Sequence, residues 1–471
     1  MSHPTSEAPT SLQQAVERGH RLSVGEKIAY ALGDTASNFF FQAFNIFLLF
    51  YYTDVFGLPA AAVGTMFLVT RIFDAVNDPV MGIIADRTKS RWGKFRPYLL
   101  WAAVPYGLIG WLMFANPDLS PSGKLIYAYI TYTGMMVAYT VINVPYSALM
   151  GVMTSSSAER TSLSAYRFVG AFGGGLLVAS LTLPLKEFLG GGDEAAGFSR
   201  TMALFAVISV AMFLTTFAFT RERVLPPADQ KSNLKKDLVA LMHNVPWIVL
   251  FFAAIFNLCN VAARNASQVY YFKYVVGNES AATLFMTSGG LALVAGAACT
   301  KLFTRFMDRR NLLITLMLGN AATLLGFYFV DPTSTVTLYA LNILGAFLAG
   351  PTPAIVFSMY ADCADYGEWK TGRRTTGLVF SASLFATKLG IAVGGAISGW
   401  MLSFFGFVPN AEQSETALTG IRVLFSIMPA GFAVLTALSI FFYPITEERI
   451  QRIERELAER KQGSAPQPAD A

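Results

Sequence analysis

Residues 51–98 read YYTDVFGLPAAAVGTMFLVTRIFDAVNDPVMGIIADRTKSRWGKFRPY. The apolar run from 58 to 84 within them is long enough to cross a bilayer core, which takes about 20 helical residues. Three charges interrupt it. Arg71, Asp74 and Asp78 stand at i, i+3 and i+7 and so share one helical face, with Asn77 beside them. An ionisable side chain at bilayer depth costs about 2.5–3.5 kcal/mol on insertion scales, which makes each one retained there a functional candidate. Two carboxylates one turn apart form a hard-oxygen cage that suits sodium, and the same pair can hold a proton. The competing reading is a structural triad in which Arg71 neutralises the acids, because buried ions in lipid must pair.

Outward from this span the pattern recurs. Of the 471 residues 54% are hydrophobic and only 14% are charged, a balance that a water-soluble chain of this length could neither expose nor bury. Runs of spanning length lie at 28–52, 58–84, 97–115, 122–150, 163–186, 198–219, 246–274, 281–304, 311–330, 335–362, 374–405 and 419–443. The polar residues before them lack the apolar run of a cleavable leader, so the N-terminus is expected to stay in the cytoplasm. Loops assigned alternately from there place only Lys124, Lys186, Arg200, Lys273 and Arg422 of the 35 Lys and Arg outside, in keeping with the positive-inside rule. Both termini are then cytoplasmic, and the expected location is a bacterial inner membrane.

The net charge of +5 is accounted for by topology, so no nucleic-acid partner is expected. Membrane lipid surrounds the chain, and a monomer is the expected functional unit. Cys259, Cys299 and Cys363 lack metal-like spacing and read as packing residues. His3, His20 and His243 fall outside the spans, which argues against a histidine proton relay. No phosphate-cradling loop of the Walker type is present. The chain is therefore not read as an enzyme, no cofactor is expected beyond a coupling ion, Na+ or H+, and energy must come from a gradient. The glycines of GAFGGG (170–175) and GGAISG (394–399) read as close helix contacts.

The charged, Pro-containing stretch TRERVLPPADQKSNLKKDL (220–238) divides the spans into two groups of six. The expected organisation is a cytoplasmic N-terminus (1–27), a six-helix bundle (28–219), a linker (220–245), a second bundle (246–443) and a cytoplasmic tail (444–471). The halves echo each other: ERTSLSAYR (159–167) follows the fourth span as RRTTGLVFS (373–381) follows the tenth. A duplicated unit of this kind lets two bundles rock about a central site.

The opening stretch, together with NVPYSAL (143–149), YYFKYVVGN (270–278) and ADCADYGEWKTGRR (361–374), resembles the glycoside-pentoside-hexuronide cation symporters of the major facilitator superfamily. The melibiose permeases are the best-known members. The resemblance implies an all-α membrane protein of twelve transmembrane helices in two pseudo-symmetric six-helix bundles, working by alternating access. It implies cation-coupled symport of a sugar, glycoside or sugar acid. It also implies that Asp74 and Asp78 bind the coupling cation, Na+ as the metal if sodium drives transport, with Asn77 beside them and Thr140 supplied by the fourth span.

By the same resemblance Arg167 and Lys388 lie near the substrate and cation sites. Two aspartates with which melibiose permeases grip a galactosyl ring are replaced here by Asn38 and Asn143, and a ring-stacking aromatic by Ser147. Amides both donate and accept, so a polyol or glycoside still fits. Tyr139 and Tyr146 offer ring faces beside Asn143. Arg264 adds a cation in the seventh span, favouring a carboxylated sugar unless Asp34 neutralises it or another base. The loop containing Asp86, Arg87, Arg91, Lys94 and Arg96 resembles the gating signature of the superfamily, and Asp365, Glu368 and Arg374 are its candidates in the second half. A carrier of a non-sugar solute driven by the same ions is the rival reading, since a fold does not fix a substrate.

Overall fold

The computed structural model describes residues 22–154, 156–223, 239, 241–372 and 376–463. Arg374 and most of the expected linker lie outside the described residues, and so does the side chain of Asp86.

Among the described residues, twelve helical rods follow one another before a helical tail. The first, α1, is Val24–Ala43 and runs on through π turns at Phe44–Leu48 and Tyr51–Val55. Then come α2 (Ala60–Arg87), α3 (Arg96–Trp101 and Ala103–Leu112), α4 (Pro121–Met153), α5 (Ser157–Gly190) and α6 (Glu194–Phe219). After the linker follow α7 (Val245–Tyr270, continued by a π turn at Tyr271–Val276), α8 (Ala281–Ala298 and Thr300–Phe306) and α9 (Arg309–Phe329). The last rods are α10 (Thr335–Ala349 and Thr352–Thr371), α11 (Thr376–Phe404) and α12 (Glu415–Phe425 and Ile427–Phe441), with α13 (Glu447–Gly463) as a tail.

Among the described residues, nine stretches are long and apolar enough to cross a membrane. The other three rods, α1 to α3, carry charges along their length or are broken into short pieces. In α2 the polarity is the reverse of a soluble helix. Arg71 and Asp74 are buried, while Ile72, Phe73, Ile83 and Ile84 face outward. Such an apolar exterior is stable in hydrocarbon and would be a liability in water.

The helix contacts repeat under a shift of six. α1 packs on α5 and α6 as α7 packs on α11 and α12, α2 on α4 as α8 on α10, and α3 on α6 as α9 on α12. The two groups meet where α2 crosses α11, where α5 crosses α8 and where α1 meets α7. The repeat reaches local detail, since both α1 and α7 finish in a π turn, shortly before Gly57 (φ 81°) and Gly277 (φ 74°). A positive φ at little cost is what glycine supplies there.

The glycine runs sit at these crossings. A Cβ on Gly170 would stand 2.6 Å from the Ala31 carbonyl oxygen, and one on Gly394 2.8 Å from that of Cys259. At the α2–α11 crossing a Cβ on Gly64 would lie 2.6 Å from the Ala396 oxygen and 3.3 Å from the Cα of Gly399. Backbone there cannot give way as a side chain can. Gly64→Leu is therefore expected to cost about 1–3 kcal/mol by overpacking. A drop of a few degrees in the thermal aggregation midpoint of detergent-solubilised protein checks this, and an unchanged midpoint contradicts it.

Candidate functional site

The α2 acids meet α4 and α11 at the junction of the two groups. Thr140 Oγ1, from α4, lies 2.9 Å from Asp74 Oδ1 and 2.8 Å from Asp78 Oδ1. Lys388 Nζ, from α11, lies 3.0 Å from Asp74 Oδ2 and pairs also with Asp78 Oδ2. A hydroxyl has one hydrogen, so Thr140 donates to one carboxylate at a time and presents its oxygen to the other. One hydroxyl and two carboxylates thus converge beside one ammonium.

Two carboxylates against one ammonium leave the contact cluster with one negative charge in excess when all are ionised. The Asp74 side chain is 1% exposed, whereas those of Asp78 and Lys388 are 30% and 24% exposed. The cluster is sealed at Asp74 and open at Asp78. Asn77 lies beside it with its buried Nδ2 unpartnered.

The triad with Arg71 does not form. Among the described residues Arg71 makes no ion pair; its guanidinium lies over the Phe44 ring, 5.0 Å from the centroid, and its buried Nε has no hydrogen-bond partner. The i, i+3 spacing permits an Arg71–Asp74 contact, but Lys388 reaches the acids from another helix. Lys388, expected near the substrate and cation sites, is in this structure the counter-ion of the acids.

Asp34 pairs with Arg167, not with Arg264. Arg167 Nε is 2.5 Å from Asp34 Oδ2 and Nη2 is 3.3 Å from Oδ1. The same guanidinium lies over the Tyr146 ring at 5.0 Å and within 3.5 Å of Ser147 Oγ. Tyr146 is fully buried, stacked on Tyr30 with centroids 4.7 Å apart, and its hydroxyl donates to the Tyr30 carbonyl at 2.6 Å. The expectation that it shows a ring face to a ligand is corrected: the face belongs to packing. Tyr139 is half-buried, its ring 5.7 Å from that of Phe41. Asn38 and Asn143 each donate to the carbonyl four residues back, at 2.9 and 3.1 Å, and keep their carboxamide oxygens free of hydrogen bonds among the described residues.

Arg264 stands apart from all of these. Nη2 donates to Asn342 Oδ1 at 2.9 Å, and the rings of Phe285, Phe327 and Phe425 surround the guanidinium at 5.7, 4.8 and 5.0 Å. It lines a cavity of about 530 Å³ between the two helix groups. Asn257, Asn260, Gln268, Asn320 and Asn342 line that cavity too, and Gln42 faces them from α1. Reading the sequence for ionisable residues alone misses these amides. The signal that finds them is their spacing: positions 257, 260, 264 and 268 fall within about 80° of arc on one helix.

The gating candidates divide. In the α2–α3 loop, Arg96 donates to the carbonyls of Phe217 (2.6 Å) and Trp92 (3.3 Å), and Arg91 lies over the Trp92 ring. Glu222, just past α6, accepts from the backbone N–H groups of Lys94, Phe95 and Arg96 at 2.8, 2.7 and 2.9 Å. This holds the loop to its own half, and Glu222 was not legible as its anchor. Asp365 and Glu368 sit near the end of α10, where Asp362 pairs with Arg309 at 3.0 Å. Arg87 is exposed at the end of α2.

A two-fold repeat of six helical rods among the described residues, with an ion cluster and a cavity between the halves, fits a membrane transporter of major facilitator architecture. The family model described as MFS/sugar transport protein matches residues 29–447. The chain belongs to that family, the glycoside-pentoside-hexuronide cation symporters whose motifs it resembles. It is 38% identical over 443 residues to the inner membrane symporter YicJ of Escherichia coli (strain K12), covering 93% of this chain and 96% of the relative. It is 36% identical over 451 residues to the isoprimeverose transporter of Lactiplantibacillus pentosus, covering 94% of each. The inward open conformation of the xylose transporter XylE from Escherichia coli superposes with a TM-score of 0.63 at 14% identity, over 91% of this chain and 98% of that one.

Proposed function

We propose that this protein is a secondary active transporter that moves a sugar or glycoside across a bacterial inner membrane together with Na+ or H+, by alternating access. The observation that carries the proposal is the placement of the Asp74–Asp78–Thr140–Lys388 cluster. Its oxygens come from α2 and α4 and its ammonium from α11, so what occupies it bears on how the halves meet. Relatives named as a symporter and as an isoprimeverose transporter support the reading. The test is uptake of labelled glycosides into membrane vesicles with and without a sodium or a proton gradient. Uptake that ignores both gradients across the panel overturns the proposal.

With both termini cytoplasmic, the face bearing the α1–α2 and α7–α8 loops is external, and it is closed. Asp54, its side chain fully buried, pairs with Lys273 at 3.1 Å and accepts from Tyr274. Thr53 Oγ1 lies 2.7 Å from the Tyr270 hydroxyl, and Asn410 Nδ2 donates to the Asp54 carbonyl at 2.5 Å. Lys186 joins the halves again through Glu279 at 2.7 Å. The π turns of α1 and α7 are thus each other's partners across the pseudo-two-fold axis. Removing one member of a buried pair costs on the order of 3–5 kcal/mol. Asp54→Asn is accordingly expected to open this face more often. The check is alkylation by an impermeant thiol reagent of a cysteine placed at Gln42, in a background without the native cysteines. The labelling rate should rise at least about tenfold, and an unaltered rate rejects the assignment of this network as a gate.

A further inference from the structure

We infer that the amide-lined wall of the second helix group is a ring-binding subsite anchored by Arg264, so that the transported glycoside has two rings. This rests on the reading of the chain as a glycoside carrier and goes beyond it.

Polar side chains inside a membrane are kept where they face a partner or a watery cavity. On α7, Asn257, Asn260, Arg264 and Gln268 form one stripe facing the cavity, and Asn320 from α9 and Asn342 from α10 stand behind it. Several of these groups are held in place by their own bonds. Asn342 Nδ2 donates to the Phe285 carbonyl at 2.6 Å, which aims its oxygen at Arg264. Asn320 Nδ2 donates to the Gly345 carbonyl at 3.0 Å, leaving its oxygen 3.4 Å from Asn260 Nδ2. Asn257 has no hydrogen-bond partner among the described residues and opens onto the cavity. Arg264 is held by Asn342 and three rings, makes no ion pair among the described residues, and is half-buried at the cavity wall.

Carboxamides both donate and accept, and a guanidinium donates several times over. Hydroxyls around a sugar rim need that mixture. The opposite wall supplies Ile46, Phe172 and Leu176, apolar surface for the C–H face of a ring. The argument for two rings is one of position. On α1, Asp34, Asn38 and Gln42 are spaced by four and form a stripe that begins at the Arg167 pair and reaches the cavity only at Gln42. A ring held near Asn38 and Arg167 lies outside the amide wall, and the cavity is of the size that encloses ligands larger than one ring.

The test is counterflow in proteoliposomes with one-ring and two-ring glycosides, using the parent, Arg264→Lys and Asn257→Ala. Lysine keeps the charge and loses the planar fork of donors. Asn257→Ala removes no intramolecular bond, so it keeps the test decisive if the arginine variant inserts poorly. Preference for two-ring over one-ring substrates, as a ratio of KM values, is expected to fall at least about tenfold in Arg264→Lys and about threefold in Asn257→Ala. An unchanged ratio in Asn257→Ala and in correctly inserted Arg264→Lys overturns the subsite, as does a parent that carries only one-ring glycosides. A parent that carries no glycoside of either length overturns the glycoside reading itself, and the subsite with it.

Discussion

Asp78→Asn is expected to abolish accumulation against a gradient while leaving exchange of substrate across the membrane in place. The substitution keeps the shape of the side chain and an acceptor for Thr140, 2.8 Å away, but removes one of two negative charges. The contact cluster, with one excess negative charge in the parent, becomes neutral, Asp74 against Lys388. The electrostatic demand for a cation is gone. Asp78 is the acid to choose because it is the accessible end of the cluster, 30% exposed against 1% for Asp74. One elementary charge moved through 100 mV is worth about 2.3 kcal/mol, which at 1.4 kcal/mol per decade sustains a concentration ratio of about 50-fold. That ratio should fall to about one in vesicles bearing the gradient. Counterflow at zero gradient reports whether the carrier still folds and turns over. If the variant concentrates substrate as the parent does, Asp78 does not bind the coupling ion.

The acids of α2 were legible in the sequence because a charge in an apolar run announces itself. Their partners Thr140 and Lys388 were reached only through the family resemblance, because spacing along one helix says nothing of what other helices bring. Helical spacing puts Arg71 next to Asp74, yet the counter-ion is Lys388, which arrives from α11 because α2 and α11 cross at paired glycines. Likewise Asp34 is separated from Arg167 by 133 positions and meets it only because α1 packs on α5. The amide stripe of α7 had a readable period but no charge except Arg264. Tyr146 illustrates the converse, since an aromatic beside Asn143 reads as a ligand platform until Tyr30 is seen stacked on it. The π turns at the ends of α1 and α7 follow from packing across the axis, and nothing local in their sequence marks them.

Lys388→Gln is expected to tighten the hold on the coupling ion and stall its release. Arg71 lies one turn from Asp74 and makes no ion pair with it among the described residues, so Lys388 alone offsets one of the two negative charges. An incoming cation meets the ammonium at the same carboxylate oxygens and has to compete with it there. If the acids bind the coupling ion, Lys388 is its built-in competitor: an ammonium at the acids is expected to lower their affinity for an external ion, and its departure to restore it. Glutamine keeps a donor, on a side chain one bond shorter, but no charge. Leaving the buried Asp74 carboxylate without its partner is worth on the order of 3–5 kcal/mol, and even the lower figure corresponds to more than about 100-fold in affinity. The half-saturating sodium concentration, or the proton concentration if sodium has no effect, should drop by at least that factor. Net uptake should slow, because the ion leaves only when the ammonium returns. An ion dependence identical to the parent's would make Lys388 a structural tether between α2 and α11, and ion release would then need another displacing charge.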